Sequence, residues 1–144
     1  MATTTAQLIL TSTDLLSDSL SVSAIATLTG AGNSTGLTQS SGLTKKTMSA
    51  TAAAAIQAGV LYRAGDYTAN ASNKVYIKNM STTAAQFFTV TIDQEEIGRL
   101  YAGDWMFIPL EVAVAAQDVA VDAVGVSQVV EWCFVHEGKT LGQS

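Results

Sequence analysis

A two-residue alternation of apolar and polar side chains, repeated in short runs, limits the fold of this chain more than any other feature of its sequence. In the run NKVYIKN, Val75 and Ile77 fall on one side of the backbone, and Tyr76 and Lys78 fall on the other. Successive side chains point to opposite faces in an extended strand, so this period predicts strands with one face in a core. The same alternation recurs in three further runs, LSVSAIATL, QFFTVTID and VVEWCFVH.

The spacing of these runs indicates the fold class. Turn signals such as Gly30, Gly32 and Ala102-Gly103 separate about eight runs, at intervals close to those of sandwiches and barrels. No run of ten or more residues has the amphipathic period of a helix. We therefore predict an all-β fold, a two-sheet β-sandwich in which a jelly roll is one arrangement and the strand order is open.

The length of the chain predicts one domain. Its 144 residues can bury a core without disulfides, and its single cysteine allows no intrachain disulfide. We expect residues 1–144 to form one sandwich domain, with residues 1–6 as a flexible arm that becomes ordered on binding.

The first part of the chain, to about residue 58, is rich in Ser, Thr and Ala. In it we predict a half-buried strand over Leu20–Leu28 and a strand or loop over Ala52–Ala55. Asp18 is expected to pair across strands with Lys45 or Lys46, which would help to set the register.

The densest group of large side chains lies in RLYAGDWMFIPLEVAV, residues 99–114. A strand here has two apolar faces, Trp105 with Phe107 and Met106 with Ile108. It is therefore buried on both sides or covered on one side by another subunit, and a ligand pocket is the third interpretation. Pro109 cannot donate to a ladder, so it ends the strand or lies at a sheet edge.

The charge content argues against several classes of partner. Charged residues make up 13% of the chain, against roughly 25% in an average globular protein, which favours a surface partly buried against neighbouring subunits. The net charge is −5 and Lys45-Lys46 is the only adjacent basic pair, so nucleic acid and anionic membranes are not expected as partners. We expect no signal peptide, since residues 1–10 have no basic stretch, and no membrane span, since no run approaches about 20 apolar residues.

The residues that usually carry chemistry are few. Cys133 and His136 are three apart, so in a strand they face opposite sides and form no nucleophile–base pair. Asp93, Glu95 and Glu96 are more typical of a charged turn than of paired catalytic carboxylates. One histidine and one cysteine cannot build a zinc site within one chain. The sequence therefore predicts no enzyme, no metal and no cofactor.

From Asn73 to Glu137 the chain resembles small virion proteins of tailed bacteriophages, marine ones among them. The resemblance consists of an NKVYIKN strand, a GDWMFIP strand and a closing VVEWCFV strand. It implies a non-enzymatic capsid decoration (cement) protein that assembles in the host cytoplasm and stabilises the shell through apolar contacts. Its partners would be copies of itself, with a trimer as the expected number, and a major capsid protein or another virion protein. The expected contact residues are aromatic: Tyr76, Phe87, Tyr101, Trp105 and Phe107.

Three other functions stay open at this stage. A small enzyme subunit would need His136 or the Asp93–Glu96 cluster in a cleft. A tail or head-fibre component would have the same general character. A carbohydrate-binding or receptor-binding sandwich would expose Trp105 or Trp132 beside acidic and amide groups.

Overall fold

The computed structural model describes residues 3–14, 19–29, 37, 39–51, 60–62, 73–110 and 118–136. All of the regular structure in these ranges is β-strand, as predicted. The strands are β1 (Thr4–Ser12), β2 (Leu20–Leu28), β3 (Gln39–Ser40), β4 (Thr44–Met48), β5 (Ala50–Thr51), β6 (Val60–Tyr62), β7 (Asn73–Asn79), β8 (Phe87–Ile92), β9 (Glu95–Tyr101), β10 (Trp105–Leu110), β11 (Val119–Val124) and β12 (Gln128–His136).

Ten of these strands form two five-stranded sheets. Sheet I has the order β10-β7-β12-β3, with β4 also paired to β12, and sheet II has the order β5-β11-β8-β9, with β6 also paired to β11. Within the described strands all pairs are antiparallel except β5 with β11. The chain passes from sheet I at β7 to sheet II at β8 and β9, back at β10, and again through β11 to β12. This alternation between two sheets is that of a jelly roll.

The core lies between the two sheets. Along β7 the odd-numbered side chains are buried and the even-numbered ones are half-buried, which confirms the predicted alternation. The buried core is made of branched and aromatic side chains from both sheets, chiefly Val75, Ile77, Val130, Phe134, Phe88, Val90, Val119 and Val121. Because β-branched residues are stiff and fill a pleated surface well, these runs favour strands over helices.

Two buried amide side chains join the sheets. Asn79 of β7 donates from Nδ2 to the carbonyl of Leu100 in β9 at 2.9 Å and to Oε1 of Gln128 at 3.2 Å. Gln128 of β12 donates from Nε2 to the carbonyl of Phe87 in β8 at 2.9 Å. Each amide therefore reaches from sheet I to a backbone carbonyl of sheet II, which leaves these buried polar groups paired.

The segment between β7 and β8, residues 80–86, corrects a prediction. The polar run over residues 81–85 has the length of a hairpin loop, but here it carries the chain from one sheet to the other. Asn79 Oδ1 accepts a hydrogen bond from the Ser81 amide at 2.9 Å, which turns the chain out of β7. The turn after β9 is another crossing: Asp104 donates its amide to the Tyr101 carbonyl at 2.9 Å, with Gly103 at φ +85°.

The remaining two strands form a separate two-stranded sheet, here called the ribbon (β1 with β2). Its register is regular over nine pairs, from Thr4 opposite Leu28 to Ser12 opposite Leu20. Leu37 is fully buried and forms hydrogen bonds with both strands of the ribbon at the Thr4–Leu28 end. Its amide donates to the Leu28 carbonyl, and its carbonyl accepts from Thr4 Oγ1.

The ribbon differs from the sequence-based expectations. A strand over Leu20–Leu28 is confirmed, but it is exposed on both faces up to Leu28, not half-buried. The predicted arm over residues 1–6 overlaps β1, since Thr4 to Ala6 already pair with β2. Asp18 and Ala52–Ala55 lie outside the described residues.

Candidate ligand groove

The outer face of sheet I presents an aromatic row. Register pairs place Trp105 opposite Lys78, Phe107 opposite Tyr76 and Pro109 opposite Lys74. These six side chains point away from the core because Met106 and Ile108, the alternate residues of β10, pack against it. β10 is an edge strand, which confirms the expectation for Pro109.

The apolar face of the ribbon lies across this row. Since cross-strand partners share a face, the alternate residues of β1 and β2 form one surface of small and aliphatic side chains. Between this surface and β7–β10 is a groove of about 670 Å³. The groove is lined by Ala6, Gln7, Leu8, Ala24, Ala26 and Leu28 of the ribbon, and by Lys74, Tyr76, Lys78, Trp105, Phe107 and Pro109 of sheet I.

The second apolar face of β10 is therefore explained within one chain. Met106 and Ile108 face the core, while Phe107 is half-buried and Trp105 is 50% exposed in the groove. Of the three interpretations offered by the sequence, the pocket is the one that this arrangement supports. Its volume is in the range of small-molecule sites, and its lining is mostly apolar with a few polar groups.

A hydrogen-bonded chain of side chains borders the floor of the groove. Tyr76 donates its hydroxyl to Glu131 Oε1 at 3.1 Å, and Lys45 Nζ lies 3.3 Å from Glu131 Oε2. Burial raises the pKa of the Tyr76 phenol above its ordinary value, and the hydrogen bond and negative charge of Glu131 raise it further. Tyr76 is therefore a neutral donor at physiological pH, held in place by Glu131.

Lys78 is the cation placed to meet a ligand. It stands between Trp105 on β10 and Glu131 on β12 in the register of sheet I. Both oxygens of Glu131 already have partners, Tyr76 and Lys45, and among the described residues Lys78 forms no ion pair. An ammonium beside an indole ring suits an anionic or polar group on an otherwise apolar ligand.

The five aromatic residues predicted as a contact surface do not lie together. Tyr76, Trp105 and Phe107 line the groove. Phe87 and Tyr101 face each other on β8 and β9 of sheet II, with ring centroids 5.3 Å apart. The guanidinium carbon of Arg99 lies 4.7 Å from the centroid of the Phe87 ring. Phe87 and Tyr101 therefore pack against each other and against Arg99 within sheet II.

The groove walls on the ribbon were missed by sequence reasoning. The alternation in Leu20–Leu28 places Ala24, Ala26 and Leu28 on one face. It does not show which other part of the chain lies against that face. Ala6 was expected to belong to the flexible arm over residues 1–6, and Leu8 was assigned no role.

His136, Cys133 and Asp93, whose side chains could carry catalytic chemistry, are not among the residues that line the groove. His136 is 3% exposed and faces inward although it stands at a strand end, because the alternation of β12 continues to its last residue. Cys133 is half-buried, and desolvation raises the pKa of its thiol. Asp93 and Gln94 form the β8–β9 turn, as the acidic run predicted.

Within the described residues, no group of three or more His, Cys, Asp or Glu side chains could hold a metal ion. Over the same ranges there is no helix of the length and hydropathy needed to cross a membrane.

Comparisons with known proteins give one likeness to report. No protein-family model matches the chain, and no curated protein matches it. A solved structure that matches is a cupin protein from Bacteroides fragilis, 21% identical, with 71% of this chain and 70% of that chain covered at a TM-score of 0.39. At that identity the likeness concerns the fold, and no residue role is transferred from it.

This comparison corrects the functional prediction. The predicted capsid decoration protein, with a tail or head-fibre component and a carbohydrate- or receptor-binding sandwich as alternatives, is not retained: the matching structure is a cupin protein. The resemblance to virion proteins over Asn73–Glu137 was not tested and stays a prediction, as do the capsid partner and the virion location.

Proposed function

We propose that this protein is a binding module, not an enzyme, and that the groove takes an elongated or planar apolar ligand carrying one anionic group. The observation that carries the proposal is the pairing of two unlike walls: aliphatic side chains from the ribbon face an aromatic row from β10, with lysines along one side. A flat or elongated apolar body fits between such walls, and the ammonium groups suit an acidic head.

The lining also argues against catalysis at this place. Among the described residues, its polar side chains are Gln7, Lys74, Tyr76 and Lys78, and none of these is a carboxylate, thiol or imidazole. The phenol of Tyr76 is turned to Glu131 and its pKa is raised, so it is poorly suited to act as a base near neutral pH.

The experiment uses a probe of the proposed shape, 8-anilino-1-naphthalenesulfonate, and its uncharged analogue N-phenyl-1-naphthylamine. Both are titrated into the full chain and followed by probe fluorescence. We expect saturable binding of one probe per chain for both. Absence of saturable binding of either probe would overturn the proposal.

Two matched pairs of variants locate the binding. Trp105→Ala should weaken both probes about tenfold, because the indole offers a large apolar contact; Tyr101→Ala, which removes an aromatic ring of similar exposure from sheet II, should change neither. Lys78→Ala should weaken only the sulfonate probe, about threefold, and Lys46→Ala should not. Equal effects of Trp105→Ala and Tyr101→Ala would place binding elsewhere.

A further inference from the structure

The ribbon has an edge that no described strand covers. β1 pairs with β2 and with no other strand in the part of the chain that the structure describes. Natural edge strands are guarded against pairing by charges, prolines or bulges. The stretches Thr4–Ser12 and Leu20–Leu28 contain no charged residue and no proline, and their register has no bulge.

The ribbon also leaves a large apolar surface uncovered. Six large aliphatic side chains of two nine-residue strands are between 36% and 67% exposed: Leu8, Ile9, Leu10, Leu20, Val22 and Ile25. They lie on two faces: Leu8, Leu10, Leu20 and Val22 on the face turned to sheet I, and Ile9 and Ile25 on the opposite face. Pairing along the β1 edge, which is about 30 Å long, would cover Leu8, Ile9 and Leu10 and would add backbone hydrogen bonds between strands.

The sequence of β1 indicates what covers this edge. Read against itself in the antiparallel sense, the Leu8–Leu10 centre of β1 is self-complementary about Ile9. Ile9 would stand opposite its own counterpart, Leu8 opposite Leu10, and Gln7 opposite Thr11. A shift of one residue to a centre at Leu8 would set Ile9 against Gln7 and Leu10 against Ala6, which matches apolar with apolar less well.

We propose that a second copy of this chain binds here, with β1 pairing antiparallel to β1 about a two-fold axis through Ile9. The product is a four-stranded sheet, β2-β1-β1-β2, with the leucines of both copies on one face and the isoleucines on the other. A two-fold contact uses the same patch on both copies and closes on itself, so it gives a dimer and not a fibre. This dimer is proposed in place of the trimer expected from the sequence.

The first test measures mass in solution by sedimentation equilibrium on the full chain. We expect a dimer at micromolar concentration. Ile9→Lys puts a charge at the two-fold axis and should raise the dimer dissociation constant at least a hundredfold. Ile25→Lys is the matched control, because Ile25 shares the face of Ile9 and is more exposed, but lies on β2 away from the pairing edge.

The second test fixes the register and does not depend on a destabilising charge. In a Cys133→Ser background, which removes the native thiol, Ile9→Cys should form a disulfide-linked dimer under mild oxidation, since the two thiols would face each other. Ile25→Cys should stay unlinked. A monomeric wild-type chain, a trimer, or cross-linking by Ile25→Cys instead of Ile9→Cys would each overturn the proposal.

Discussion

Asn79 is an uncharged polar side chain with no exposed surface, and both of its amide ends are in use. We expect Asn79→Ala to lower the free energy of unfolding by about 2–3 kcal/mol, because the Leu100 carbonyl and the Ser81 amide would lose their partner inside the protein. Urea unfolding followed by circular dichroism measures the change. Ser81→Ala removes only a long 3.4 Å contact to Gln128 and should cost less than about 0.5 kcal/mol. Equal losses in the two variants would contradict this account.

Tyr76 is expected to make the free energy of unfolding depend on pH in the alkaline range. Its pKa in the folded chain is raised, by burial first and by Glu131 second, so the folded state holds the phenol proton more tightly than the unfolded state. The associated stability is complete below the unfolded pKa of 10.0 and is lost as pH rises through the raised folded pKa.

Tyr76→Phe should therefore flatten the loss of stability above pH 10.0. The measurement is a series of urea unfolding curves between pH 8 and pH 11. It is best made in a Cys133→Ser background, because the thiol pKa is also raised and titrates in the same direction. An unchanged slope would mean that the phenol titrates alike in both states.

The β8–β9 hairpin turns through two residues with left-handed backbone, Asp93 at φ 52° and Gln94 at φ 67°. Two positive φ angles in a two-residue loop are typical of a type I′ turn, where glycine is favoured at the second position. Gln94→Gly should therefore stabilise the protein by about 0.5–1 kcal/mol in thermal unfolding.

At Gly103 the opposite substitution, from glycine to alanine, is expected to destabilise the protein. Its φ is +85° and a Cβ there would meet nothing within 4 Å, so Gly103→Ala would cause strain in the backbone without any steric clash. A loss of about 1 kcal/mol is expected. Stabilisation by Gly103→Ala would show that the turn relaxes to another conformation.

The strands differ in how far the sequence could predict them. β7 and β12 were predicted with their faces because each has a strict alternation and a β-branched or aromatic core side. β10 has two apolar faces, so its sequence did not show which of them meets the core. The crossing between β7 and β8 was not predictable, since a short polar connector is compatible with a hairpin and with a change of sheet. The exposure of β2 was also missed, because alternation shows that a strand has two unlike faces but not that a core covers one of them.

The pairing of distant segments should set the speed of folding. β4 pairs with β12 and β7 pairs with β12, so the central strand of sheet I is the last described strand in the chain. Such non-local pairing predicts refolding in milliseconds to seconds. Stopped-flow fluorescence in Trp105→Phe would follow Trp132 alone, which packs against the core. A microsecond phase with full amplitude would contradict the expectation.

The sequence predicted the residues of one wall of the groove but not of the other, because the two walls come from distant parts of the chain. Tyr76, Trp105 and Phe107 could be identified from their size and their alternation within one part of the sequence. Their opposite wall comes from Ala6 to Leu28, far away in the chain, and no local pattern relates the two. Phe87 and Tyr101 had the same local signal, yet they belong to the other sheet, since a residue type in a strand does not reveal which sheet the strand joins.

The two sheets also divide the charge of the described residues unequally. The strands of sheet I carry four lysines, Lys45, Lys46, Lys74 and Lys78, against one carboxylate, Glu131. The strands of sheet II carry three carboxylates, Glu95, Glu96 and Asp122, against Arg99, and the segments that join strands carry Asp93, Asp104 and Asp118. In a chain with a net charge of −5, the described charges are therefore separated across the two sheets, with the lysines on the side of the groove. Anions that the molecule repels at long range are drawn to one face at short range, so raising the salt concentration should slow their capture there more than it slows their release.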